Sequence, residues 1–269
     1  PMISVLASPR LRAALLTALG LLLIAAPFFL SSYALHIFMT MGIAIVLALG
    51  LNLLMGFAGQ VSLANAAFFG IGAYSVAILG VHYGVPFYFA LPIVAAMTTA
   101  LGFVVGLPAL RVSGHYLALA TLAFVSTVQV VLINWVSMTG GSVGMGTGRD
   151  ALGISVLADN RHYYFVILAF TLLMIVLAVR TVDSRTGRAF MAIRDNENAA
   201  EIMGVNLLRY KTTAFALNAF YCAVAGGLHA GLVRYIDPYE FGLWPSIWHL
   251  LYIVVGGLGS IAGSIIGPL

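Results

Sequence analysis

From Ala13 to Leu110 the chain carries no Asp, Glu, Lys or Arg. Crossing the ~30 Å hydrocarbon core of a bilayer takes about 20 apolar residues, so this one tract has room for four crossings. Inside lipid every backbone N–H and C=O must be paired within the protein, which leaves only helices and closed barrels. A barrel requires alternating apolar and polar residues. The runs here are instead continuous and rich in Leu, Ala and Gly, with 62% apolar and 7% charged residues over the whole chain and a mean hydropathy of +1.07. The expectation is an all-α polytopic membrane protein of about eight transmembrane or re-entrant helical segments, forming a single transmembrane domain over 1–269. The spans fall at about 13–31, 33–55, 60–80, 87–110, 115–136, 162–179, 211–232 and 246 to the end.

Half of the 20 charged residues lie between Arg180 and Lys211. Within that stretch Phe190, Ile193, Ala200 and Met203 recur at helical spacing on one side, and Arg188, Arg194, Glu197 and Glu201 on the other. This predicts an amphipathic segment in a water-facing loop of about 180–211, with Gly204 as its stop and Asn206 as the cap of the next helix. Basic residues set orientation. With a cytoplasmic N-terminus, nine fall on the cytoplasmic side (Arg10, Arg12, Arg111, Arg180, Arg185, Arg188, Arg194, Arg209, Lys211) and three on the other (Arg149, Arg161, Arg234). The formal charge of +4 is therefore read as topology. No basic stripe with stacking aromatics suggests nucleic acid.

Charged side chains inside a span usually mark ion relays, and none lies near the middle of an expected span. That argues against carboxylate-driven antiport. No GxxxxGK[ST] loop is present, so the chain is not expected to hydrolyse ATP, and no catalytic constellation is visible. His36, His115, His229 and His249 are scattered without metal-ligand spacing. The single cysteine, Cys222, excludes an intrachain disulfide and is read as a small packing residue.

The third expected span, GFAGQVSLANAAFFGIGAY, is the most unusual in composition. Its glycines let helices approach closely or unwind, and Gln60, Ser62 and Asn65 put neutral polar groups at membrane depth. Together with Asn52 and Asn134 these are candidates for the lining of a path for a zwitterion or an uncharged polar solute. A second Gly-rich run from Gly256 to Gly267 suits a matching role. The segment Thr139–Gly148 reads as a flexible loop, a mobile gate or a docking site on the far side.

GLNLLMGFAGQVSLANAAFFGIGAY, RVSGHYLALATLAF, NWVSMTGG, GRAFMAIRDNENAAEIMGVNLLRYK and the final GGLGSIAGSIIGP, in this order from about residue 45 onward, together resemble the LivM-type permease subunits of branched-chain amino acid ABC importers. The resemblance implies a half-transporter in a bacterial or archaeal plasma membrane. Its partners would be a LivH-type second permease, two cytoplasmic ATPase subunits and an extracytoplasmic binding protein. No cofactor is bound by this chain on that reading; ATP and Mg belong to the ATPase. Gly187, Arg188, Ile193, Arg194, Asn196, Glu197, Ala200 and Glu201 would form the element that couples to the ATPase, with Phe190 and Met203 adding buried area there. Leucine, isoleucine and valine are the expected substrates. Related permeases serve urea or short amides, and an ion-coupled carrier or a channel is the reading outside the family. The family pattern continues beyond Leu269, so an early C-terminal end is expected.

Overall fold

The structure is a computed structural model that describes residues 25–107, 115–147, 152 and 160–269. Helix α1 (Ser32–Asn52) starts at a Ser31 cap and runs directly into a π-helical turn, Leu53–Phe57. An irregular segment, 58–64, leads to α2 (Asn65–Tyr83), which stops at the left-handed Gly84. Next come α3 (Phe87–Gly106), α4 (His115–Asn134), the single turn α5 (Val136–Thr139) and the two-residue strand β1 (Met145–Gly146). Helix α6 (Asn160–Asp183) is followed by α7 (Arg185–Asp195) and α8 (Glu197–Ile202), then by the longest helix, α9 (Leu207–Val233). Strand β2 (Tyr235–Ile236) pairs antiparallel with β1. Helices α10 (Leu243–Gly256) and α11 (Ile261–Ile266) end the chain.

Among the described residues six helices, α1 to α4, α6 and α9, are long and apolar enough to span a membrane. Hydrophobicity alone does not decide which of them is enclosed. Helix α9 is the least hydrophobic of the six yet, with α1, the most enclosed. Helices α4 and α6 are mostly uncovered and turn Leu119, Val130, Leu172 and Val176 outward. Lipid accepts those side chains, whereas the interior is assembled by close approach of backbones. Gly72 lies against Ala223 and Gly102 against Ala219, and Gly226 lies against the backbone of Phe69–Ala73. These contacts pull α2 and α3 onto α9.

Two expected spans are corrected. The span placed at 60–80 is not one helix, since 58–64 is irregular and α2 begins at Asn65. The span placed from 246 onward is a hairpin. Helix α10 has 14 residues, about 21 Å of rise, too short for the ~30 Å core. The chain then turns at Gly257–Ser260 and α11 packs back on α10, with Gly263 against the carbonyl of Gly256 and Gly267 against that of Tyr252. Most of the first expected span, 13–31, lies outside the described residues.

A Cβ on Gly226 would stand 2.2 Å from the Phe69 carbonyl oxygen. Gly226→Val is therefore expected to destabilise the bundle by about 2 kcal/mol or more, read as a lower melting temperature in detergent. Gly146→Ala, which meets nothing within 4 Å, should leave it unchanged.

Candidate functional site

The two helix breaks meet, and side chains supply what the missing helical hydrogen bonds leave open. Asn52, buried at the end of α1, donates through Nδ2 to the Ser260 carbonyl (2.8 Å) and the Ser264 hydroxyl (2.6 Å), and accepts at Oδ1 from the Gly259 N–H (2.8 Å). One amide thereby holds the α10–α11 turn against the π-helical turn. Gly56 has to be glycine, because a Cβ there would lie 1.8 Å from Asn52 Oδ1 and 2.4 Å from Gly259 N. In the other break the N–H of Leu63 is accepted by the Thr121 hydroxyl of α4 (3.0 Å), and that of Ala66 by the Ser246 hydroxyl of α10 (3.4 Å). The irregular segment and the first turn of α2 are thus each held by a hydroxyl from another helix. This is the condition for non-helical backbone at membrane depth.

Above this junction lies a set of buried polar groups with unused capacity. Asn65, the first residue of α2, meets Cys222, the sixteenth of the 27 residues of α9, so α2 starts part-way along the bundle. The Cys222 thiol donates to Asn65 Oδ1 (2.8 Å) and lies 3.5 Å from Asn218 Oδ1. The Nδ2 atoms of Asn65 and Asn218, both polar atoms of Gln60 and Nδ1 of His249 have no hydrogen-bond partner among the described residues. These four residues are between 0% and 7% exposed. Buried polar atoms left unpaired cost about 1–3 kcal/mol each. They therefore require an explanation other than stability.

The charged loop is two helices, α7 and α8. Ser184 caps α7 and Asn196, in extended conformation, ends α7 and caps α8. Gly204 adopts φ +85° and Asn206 caps α9, as the sequence suggested. Phe190 and Ile193 are 1% and 2% exposed and are spent inside this chain, Phe190 edge-on to Tyr210 of α9 at 6.4 Å. Met203, expected beside them, is instead 83% exposed next to Ile202 at 86%. Ala200 and Gly187 are buried; Arg188, Asn196, Glu197 and Glu201 are exposed. Lys211 reaches from α9 to Glu197 at 2.7 Å, tying α8 to the bundle. Arg194 points the other way: its Nη1 donates to the Gly56 carbonyl (2.8 Å), and its stem packs against Gly59. A Cβ on Gly259 would lie 2.9 Å from the same Nη1. The loop thus touches both breaks through one side chain.

Of the path candidates, Gln60, Ser62 and Asn65 are brought to one region of the bundle. Asn52 is fully used in the junction. Asn134 is exposed at the end of α4 and donates to Val130 within its own helix. Asn218, His249, Thr121 and Ser246 were missed. A single Asn within the apolar run of α9 was the available signal for Asn218. The described part of the Gly-rich loop is pinned: β1 pairs with β2, the Thr147 hydroxyl donates to the Ala230 carbonyl (2.7 Å), and the Tyr235 hydroxyl donates to the Val143 carbonyl.

Six membrane-length helices around two polar-lined breaks define a multi-pass membrane protein. The chain belongs to the family described as branched-chain amino acid transport system / permease component, whose model matches residues 33–269. It is similar to the LivM permease proteins of the high-affinity branched-chain amino acid transport systems of Escherichia coli K12 (34% identical) and Salmonella typhimurium (32%), over 91% of this chain in each case. It spans 63% of the length of those two relatives. It is also 28% identical to the E. coli LivH permease over 83% of this chain and 78% of that protein. No solved structure matches.

Asn52→Leu keeps the volume but strands the Gly259 N–H and removes the Nδ2 donor from the Ser260 carbonyl and the Ser264 hydroxyl. The expected loss is about 2–4 kcal/mol, together with faster hydrogen exchange confined to Gly257–Ser264 and the π-helical turn. Uniform exchange across these segments and unchanged stability would remove the bridging role.

Proposed function

We propose that this chain is a permease subunit of an ATP-driven importer for branched-chain amino acids, working beside a second, LivH-type permease. In this reading two cytoplasmic ATPases carry ATP and Mg, and an extracytoplasmic binding protein delivers the substrate. Support comes from the family, from relatives named for that transport, and above all from the bond between Arg194 and Gly56. That bond makes α7 a lever attached to the broken helices. Helices α7 and α8 are docked on α9 by Phe190 and Lys211, so they transmit force as one body. Asp195–Ala199 with Ile202 and Met203 offers the ATPase a polar surface carrying two apolar anchors.

Movement of the lever would shift 58–64 and the α10–α11 turn together. The unpartnered amides of Gln60, Asn65 and Asn218 would then line the path. A leucine-like zwitterion carries its charges on one end, where amide dipoles and the start of α2 can meet them. Its apolar end needs no polar partner. Alternating access follows, with each nucleotide state favouring one arrangement.

Reconstitution of the chain with its partner subunits and uptake of labelled leucine tests this reading. Uptake should require ATP and all subunits; uptake by the chain alone, driven by an ion gradient, would replace it with a secondary carrier. Arg194→Glu puts a carboxylate against the Gly56 carbonyl and should abolish substrate-stimulated ATP hydrolysis while the ATPases still co-purify. Ile202→Asp with Met203→Asp should release the ATPases. Gln60→Leu removes two unpaired buried atoms, so the melting temperature should hold or rise while uptake falls at least tenfold, about 1.4 kcal/mol of lost stabilisation of the transported state.

A further inference from the structure

Below the point where the Tyr221 hydroxyl bonds to the Met174 carbonyl (3.0 Å), α6 and α9 part and leave a groove on the outside of the bundle. It comprises two adjoining cavities of about 290 and 350 Å³ that share Leu177, Thr181 and Leu217 as walls. The cavity deeper in the membrane is apolar, closed by Phe220 of α9 and Thr99 of α3. The other opens at the end of α6, where Arg180, Ser184, Thr186 and Thr213 line it.

The chemistry changes along the groove in the way a lipid does. Arg180 is exposed and has no hydrogen bond or ion pair from its side chain among the described residues; Asp183, one turn on, does not neutralise it. Ser184 caps α7, so the positive end of that 11-residue helix opens on the same mouth. Ser184 Oγ already holds the Thr186 and Gly187 N–H groups and donates to the Thr181 carbonyl, so the mouth offers the Arg180 guanidinium and the Thr186 hydroxyl beside a positive helix end, with an apolar channel leading from them. A soluble phosphate would satisfy the mouth and leave Leu177, Leu217 and Phe220 uncovered. We propose that this groove binds one anionic phospholipid, its phosphate at Arg180 and the start of α7 and an acyl chain between α6 and α9. The lipid thereby wedges the base of α7, the lever that carries Arg194. This assignment does not depend on the transported substrate.

The test is native mass spectrometry of the full chain with its partner subunits, released from nanodiscs of mixed phosphatidylcholine and phosphatidylglycerol. Wild type should retain phosphatidylglycerol selectively. Arg180→Gln should lower its retention by about fivefold without lowering the melting temperature. Leu217→Trp, which fills the apolar channel and leaves the charge, should lower it as well. Equal retention in all three proteins would overturn the proposal. So would a wild type that retains no lipid while Leu217→Trp loses the second permease, which would make the groove a subunit contact.

Discussion

A peptide group in the middle of a bilayer has no water to bond to. Every departure from regular helix there must be answered by another part of the protein. Among the described residues two such departures meet, at 58–64 and at Gly257–Ser260, and the surrounding structure closes those two gaps. Asn52 answers one break with the atoms of the other. Thr121 and Ser246 bring hydroxyls from α4 and α10, which fixes where those helices must stand. Arg194 answers the Gly56 carbonyl and so draws the charged 180–211 loop into the same junction.

The close packing of α9 makes this junction possible. With glycine and alanine at its contacts, α2 and α3 lie backbone to backbone against it, and the polar atoms of Asn65 and Asn218 converge on Cys222. Larger residues would separate the helices and the amides would not meet. The hydrophobic effect gives little preference between a leucine facing lipid and one facing another helix, so packing and polar contacts decide which side faces in. Helices α4 and α6 consequently expose their leucines and valines while α9 buries an asparagine and a cysteine.

The unpaired amides are a place where the described residues give up stability. A leucine of similar size in place of Gln60 or Asn218 would leave no polar atom unpaired there. A transport path must offer polar groups in one state that a passing solute can take in another, so groups satisfied only transiently fit such a path. The π-helical turn joins this region to the loop through the bond from Arg194 to the Gly56 carbonyl.

The membrane class, the two-sided character of 180–211 and the stop and cap at Gly204 and Asn206 were legible because they rest on local composition and spacing. The polar set Gln60, Ser62 and Asn65 was visible for the same reason: such residues stand out against apolar neighbours. Periodicity could not reveal that 58–64 is irregular, since the break rests on hydroxyls of Thr121 and Ser246 that lie far away in sequence, nor that Phe190 and Met203 part company, which depends on the kink at Asn196. Asn52 and Asn134 look alike in sequence, yet one bridges two helix breaks across 208 residues and the other bonds its own helix. The sequence by itself decided that this chain lives in lipid and where its charges gather, because transfer free energy adds up residue by residue. Only the tertiary structure decided which polar groups are paired and which stand open, because a hydrogen bond depends on where a distant partner lies.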